Sequence, residues 1–260
     1  MVSVWLVAAY TISFVGTILI TYMVAVCFQD VDRVPLLCEA GGENPAYSVF
    51  SVGMTLSSII YMLIVWALYR DMALLKLTNT ANILNVIALA LGFAAGLGLI
   101  FMATLSIRGR YRARHNDAAR IYLFASLGHA ALITAMTILL PFSMLIREWR
   151  TAVTAVAGIC VIGMWIARRV YIQALRRQQP IYKNLFDGQP VSRVITSEGD
   201  LMGELEFGQD SGPMSEPIND EPSIDDSVVR TTNFIKRFWA VLQYTAVGCL
   251  LLFQISFVYE

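Results

Sequence analysis

Charged residues along this chain are interrupted by six long stretches without a single Asp, Glu, Lys or Arg: residues 1–29, 44–69, 77–107, 121–146, 151–167 and 238–259. A helix needs about 20 apolar residues to cross a hydrocarbon core about 30 Å thick, and each stretch meets or approaches that length. The fifth is the shortest, but Arg168 and Arg169 follow it directly, and arginine stems can lie in lipid while their heads reach water. One buried charge at mid-membrane costs about 2.5–3.5 kcal/mol, so six runs free of charge point to a bilayer. The runs are continuously apolar and do not alternate with period two, which predicts helices and not barrel strands. Trp5, Tyr47, Tyr69, Trp149, Trp165, Tyr171, Trp239 and Tyr259 stand near run ends, as an aromatic belt at headgroup depth requires. The expected fold is all-α: a polytopic membrane protein, a bundle of about six transmembrane helices.

The first stretch lacks a basic start and is longer than a signal-peptide core, so it reads as a retained span. Residues 1–175 then hold helices one to five with short loops, 176–236 form a linker, and 237–260 hold helix six. The linker is basic first and acidic later: residues 198–226 carry ten acids and no Lys or Arg. Such composition cannot offset the entropy of ordering and predicts a disordered segment. A solvated linker is the simple reading; contact with the basic stretch at 168–193, or with an unidentified protein partner, is the other. Ser211, Ser215, Ser223 and Ser227 lie among its acids, where phosphorylation would add about 1.5–2 negative charges each.

Composition agrees with the pattern. Hydrophobic residues make up 57% of the 260 positions and charged residues 15%, with zero formal net charge; soluble domains carry about 25% charged residues. The basic residues are not gathered on a domain that could present a groove, so no nucleic-acid partner is expected; membrane lipids are. Cys27, Cys38, Cys160 and Cys249 show no metal-binding spacing, and they read as free thiols, with a Cys27–Cys38 bridge as the alternative. No cofactor or metal is implied. Lys and Arg on the two sides number 15 against 4, with Arg70, Lys76, Arg147 and Arg150 forming the smaller set. Charge alone therefore places both termini outside the cytosol.

Polar residues inside the spans carry the remaining information. His115, Ala119, Tyr122, Ser126 and His129 recur at spacings of three and four and line one helix face. The two histidines stand about 21 Å apart along a helix axis and cannot share one metal ion. A proton-sensitive site facing a cavity is one reading of this face; interhelical hydrogen bonding is the plainer one. Ala88, Gly92 and Gly96 form a small-residue row that lets helices approach closely in lipid. Asn82, Asn85, Gln243 and Gln254 read as structural hydrogen-bond donors. Water-activating enzymes need clustered His, Asp or Glu, and proton-coupled transporters a midplane acid; the spans offer one deep His and no carboxylate.

The order of several short motifs resembles the DRAM (damage-regulated autophagy modulator) family. Pro35, Cys38, Glu39, Gly41, Pro45 and Phe50 follow its first-loop pattern, Asn85 its third-span Asn, and His115 with Ala119 its His-x-x-x-Ala. Residues 240–245, Ala-Val-Leu-Gln-Tyr-Thr, resemble the opening of its last helix. Cys38, Glu39 and Ala46 depart from the usual Ser, Asp and Glu, and His129 stands where a Tyr is typical. The resemblance implies a six-span protein of lysosomal, other endomembrane or plasma membranes, a regulator without catalytic residues of its own. It also implies cytosolic termini, against the charge count. The wider superfamily includes glycosylphosphatidylinositol (GPI) lipid remodelling factors and regulators of phosphoinositide kinases. In a remodelling role His115, Asp117 and Glu39 would form the interfacial polar cluster. A channel or transporter subunit is a further alternative.

Overall fold

The computed structural model describes residues 4–28, 41–42, 44–75, 78–105, 111–140, 142–185 and 226–259. Its regular elements are all helical: α1 (Val4–Phe28), α2 (Ala46–Ala73), α3 (Asn79–Thr104), α4 (Arg112–Leu139), α5 (Met144–Leu185) and α6 (Asp226–Ile255), ending in a 3₁₀ turn at Ser256–Tyr259 among the described residues. Each of the six is long and apolar enough to cross a membrane. The fold class and helix number expected from the charge-free runs are both observed.

The surface is inverted relative to a water-soluble protein. Trp5, Ile12, Val52, Ile159 and Leu145 are exposed, while Ser57, Ser58, Asn85, His129, Thr137 and Arg150 are buried. Apolar side chains facing outward are solvated by lipid tails. The driving force for helix association is then close packing and interhelical hydrogen bonds, which is where these polar groups are spent.

Two boundaries differ from the charge-free runs. The run at 121–146 is not one helix: α4 ends at Leu139, Leu140 turns extended (φ −102°, ψ 158°), and α5 begins at Met144. Pro141 explains the break. Proline disfavours helical geometry in the residue before it and has no N–H to continue the ladder. Ser143 then opens α5, its Oγ accepting from Ile146 N at 3.4 Å and its carbonyl from Arg147 N at 3.2 Å. As a result Arg147 and Arg150, counted above among the charges flanking the spans, lie inside a helix. The second difference is at the linker. The helix α5 continues to Leu185 and α6 begins at Asp226, so each reaches into the segment 176–236. Charge stops a segment dissolving in lipid but does not stop it coiling, and Ala, Leu, Arg and Gln at 174–179 are strong helix formers. The acidic residues at 198–225 lie outside the described residues.

The chain divides into two units. The first comprises residues 1–164 and 240–260. Here α1, α2, α3 and α4 pack in sequence order, each antiparallel to the last: the end of α1 meets the start of α2 at Ala25 and Ala46. The second unit holds residues 165–239. In it Arg169 stacks over Trp165, one turn earlier, at 3.9 Å. Lying against the indole lets the guanidinium follow an aromatic anchor outward, as expected at the end of a short apolar run.

Candidate functional site

The small-residue row of α3 is a packing face. A Cβ on Gly92 would stand 2.5 Å from Val65 Cγ1, and one on Gly96 would stand 2.5 Å from Met62 Cγ. Both contacts are with α2, and Ser58 Oγ donates to the Gly96 carbonyl at 2.6 Å. Ala88, on the same row, is buried and offers its carbonyl to His129. The closest backbone approach uses a glycine outside the row. A Cβ on Gly98 would meet Tyr122 N at 2.7 Å and the Ala118 carbonyl at 3.1 Å, so α3 and α4 touch main chain to main chain there. The spacing Gly96-Leu97-Gly98 carries that signal: the first glycine faces α2 and the second α4.

Motif residues gather at helix ends. Gly41 is buried against Phe50, where a Cβ would come within 2.6–2.9 Å of the phenyl group. Only glycine leaves room for that ring to seat. Pro45 precedes the first turn of α2, its carbonyl accepting from Ser48 N at 3.2 Å. Two side chains cover the last carbonyls of α3, which have no partner within their own helix. Tyr47 Oη donates to the Thr104 carbonyl at 2.7 Å, and His115 Nδ1 reaches the Leu105 carbonyl at 2.8 Å. A carbonyl only accepts, so His115 carries its proton on Nδ1. At the other end of the same helix pair, Asn85 Nδ2 donates to the Tyr69 carbonyl at 3.0 Å in the last turns of α2. Ala119 is half-buried against the core beside these contacts. Pro35, Cys38 and Glu39 lie outside the described residues.

The cluster considered for lipid chemistry is not assembled from the part that is described. His115 is buried on the Leu105 carbonyl, whereas Asp117 is exposed and pairs with Arg120 at 3.0 Å. Nor do His115 and His129 converge: each serves a different carbonyl of α3. The helical face that carries them is nevertheless real. Tyr122, Ser126 and His129 are all buried, and His129 Nδ1 reaches the Ala88 carbonyl at 2.8 Å. Across from them Tyr61 of α2 meets the His129 ring edge to face at 6.3 Å, and Tyr10 of α1 packs on Tyr61 at 5.8 Å. On the side of α2 that faces α1, Ser13 and Ser57 share a hydrogen bond of 2.8 Å. A polar and aromatic seam thus joins four helices in the interior of the first unit.

Arg150 is one of the four charges counted above on the smaller side. It is 0% exposed, two turns into α5. Its Nε donates to Ser256 Oγ at 2.9 Å and Nη1 to Thr137 Oγ1 at 3.0 Å. Those hydroxyls pass their own protons to the Phe253 and Ile133 carbonyls, at 2.6 and 2.7 Å. The guanidinium also lies 4.7 Å from the Phe257 ring centre and 5.7 Å from that of Phe253. Arg150 therefore ties the C-terminal end of α4 to the end of α6, where helix dipoles favour a cation. Pro141 was the sequence signal for it, since a helix break there moves Arg150 from the flank of a span into a helix.

Among the described residues no three His, Cys, Asp or Glu side chains lie together as a metal site would need. Cys27, Cys160 and Cys249 are free thiols, Cys27 exposed and Cys160 buried. Neither a curated protein nor a solved structure matches the chain. A family does: the Frag1/DRAM/Sfk1/Cwh43P N-terminal domain matches residues 2–260. With that match over the six helices, this chain belongs to the Frag1/DRAM/Sfk1/Cwh43P family of multi-pass membrane proteins.

Proposed function

We propose that this chain is a non-enzymatic membrane regulator of the DRAM type, acting in lysosomal and autophagic membrane homeostasis through contacts with lipids or a protein partner. Family membership gives the class. The observation that carries the regulatory reading is how the motif residues are employed. Asn85 and His115 each hold a helix-end carbonyl, and Gly41 seats a phenyl ring. Residues used in this way fix the positions of helices and leave action to the surface they present. That surface is lipid-facing along the spans, and the acidic composition of residues 198–226 complements a basic protein partner by charge.

The compartment that fits this reading is an endolysosomal membrane. Deletion in cells, followed by autophagic flux and phosphoinositide measurement, tests it. Flux through the lysosome should fall, or phosphoinositide levels shift, and re-expression should restore them. If flux and lipids both stay unchanged while the protein is shown to reside elsewhere, the reading is wrong.

A further inference from the structure

The seam between α2 and α4 contains a group of polar atoms that the helix contacts do not use. Among the described residues, His129 Nε2 is buried without a hydrogen-bond partner, and Tyr61 Oη and Ser126 Oγ are buried with no partner beyond each other. Their residues are 4%, 6% and 1% exposed, so bulk water does not serve them. They belong to one locus: Ser126 stands one turn before His129 on the same face of α4, the Tyr61 hydroxyl is turned toward Ser126, and the Tyr61 and His129 rings are in contact. An unmet polar group in an apolar interior costs about 1–3 kcal/mol.

Their chemistry defines what satisfies them. The Ala88 carbonyl can only accept, so the His129 proton sits on Nδ1. In the neutral ring Nε2 is then a bare acceptor. The two hydroxyls can each donate or accept. The complement is a small neutral group with one proton to give and lone pairs to receive. A cation would find no carboxylate among these three groups, and an anion would face the lone pair of Nε2. We propose that Tyr61, Ser126 and His129 form an internal binding site for a hydroxyl group, which donates to His129 Nε2 and accepts from Tyr61 or Ser126. Buried waters typically make about three such bonds, and a lipid alcohol offers the same donor and acceptor. His129 lies ten residues from the end of α4, about 15 Å deep at 1.5 Å per residue.

The test uses the full chain with ¹⁵N-labelled histidine in phosphatidylcholine vesicles. His129 Nε2 should show the nitrogen shift of a hydrogen-bonded acceptor, displaced from that of a bare imidazole nitrogen. Magnetisation transfer from water to His129 in these vesicles identifies water as the occupant. A displaced shift that appears only when cholesterol or diacylglycerol is added identifies a lipid alcohol. A bare-nitrogen shift under all three conditions overturns the site. Tyr61→Phe and Ser126→Ala supply an independent sign. A bound hydroxyl that accepts from one of the two makes loss of that donor lower the unfolding midpoint, whereas an unmet group loses a penalty on substitution and raises it. An unchanged or raised midpoint in both variants counts against the site, and the wild-type nitrogen shift decides it if either variant fails to fold.

Discussion

Substitution of Arg150 tests the account of the interior most directly. Arg150→Ala removes two hydrogen bonds from a charged donor, to Ser256 and Thr137. Hydrogen bonds to charged groups contribute about 1.5–3 kcal/mol each, and the desolvated stack on Phe257 adds about 2 kcal/mol. These contributions overlap, because one guanidinium makes them all. The lower end of that sum, about 5 kcal/mol, is the expected loss. Arg150→Lys keeps the charge but not the planar fork. An ammonium at that position cannot hold both hydroxyls and lie flat on the ring, so about half of the loss is expected. The assay is thermal unfolding in detergent followed by a thiol-reactive dye, with the buried Cys160 as the reporter; exposed Cys27 reacts at the start and sets the baseline. At about 2–4 °C per kcal/mol for a chain of this size, Arg150→Ala should lower the midpoint by roughly 10 °C or more, with Arg150→Lys between it and wild type. Thr137→Val and Ser256→Ala should each have smaller effects that do not add to the effect of Arg150→Ala. An Arg150→Ala midpoint equal to wild type, or fully additive effects, would refute the clamp.

Gly98→Ala should destabilise the chain by about 1–3 kcal/mol, as overpacking does, because the new methyl meets the main chain at Tyr122. Gly16→Ala and Gly248→Ala, with nothing within 4 Å, should be neutral in the same unfolding assay. Tyr47→Phe and His115→Ala each uncover a carbonyl at the end of α3. The buried His115 should matter more, by about 1–2 kcal/mol, and its loss should speed amide exchange in the last turn of α3. Cysteine labelling in sealed vesicles should find Cys27, at the end of α1, and a cysteine at Thr78, which caps the start of α3, on opposite faces. Labelling of both from one side would contradict the order of spans.

Much of the architecture was legible because lipid imposes a rule that operates on composition alone. A run of about 20 residues without charge has one stable home, and six such runs determine the number of helices before any contact is known. The face of α4 carrying His115, Ser126 and His129 was equally legible, since helical periodicity places residues on a common side. The row at Ala88, Gly92 and Gly96 was legible for the same reason. What the residues on a face touch was decided in three dimensions. His129 meets the Ala88 carbonyl, His115 the Leu105 carbonyl and Asn85 the Tyr69 carbonyl. Each partner is main chain, and main chain carries no sequence signature. Arg150 shows the same limit from the other direction. By charge it stands among the residues flanking the spans, yet a helix break after Leu139 and hydroxyls from two other helices make a buried position tolerable. The sequence alone could determine where the chain enters lipid, because transfer from water depends on each segment's own surface. Only the tertiary structure could decide which polar groups survive there, because their stability depends on partners brought from distant parts of the chain.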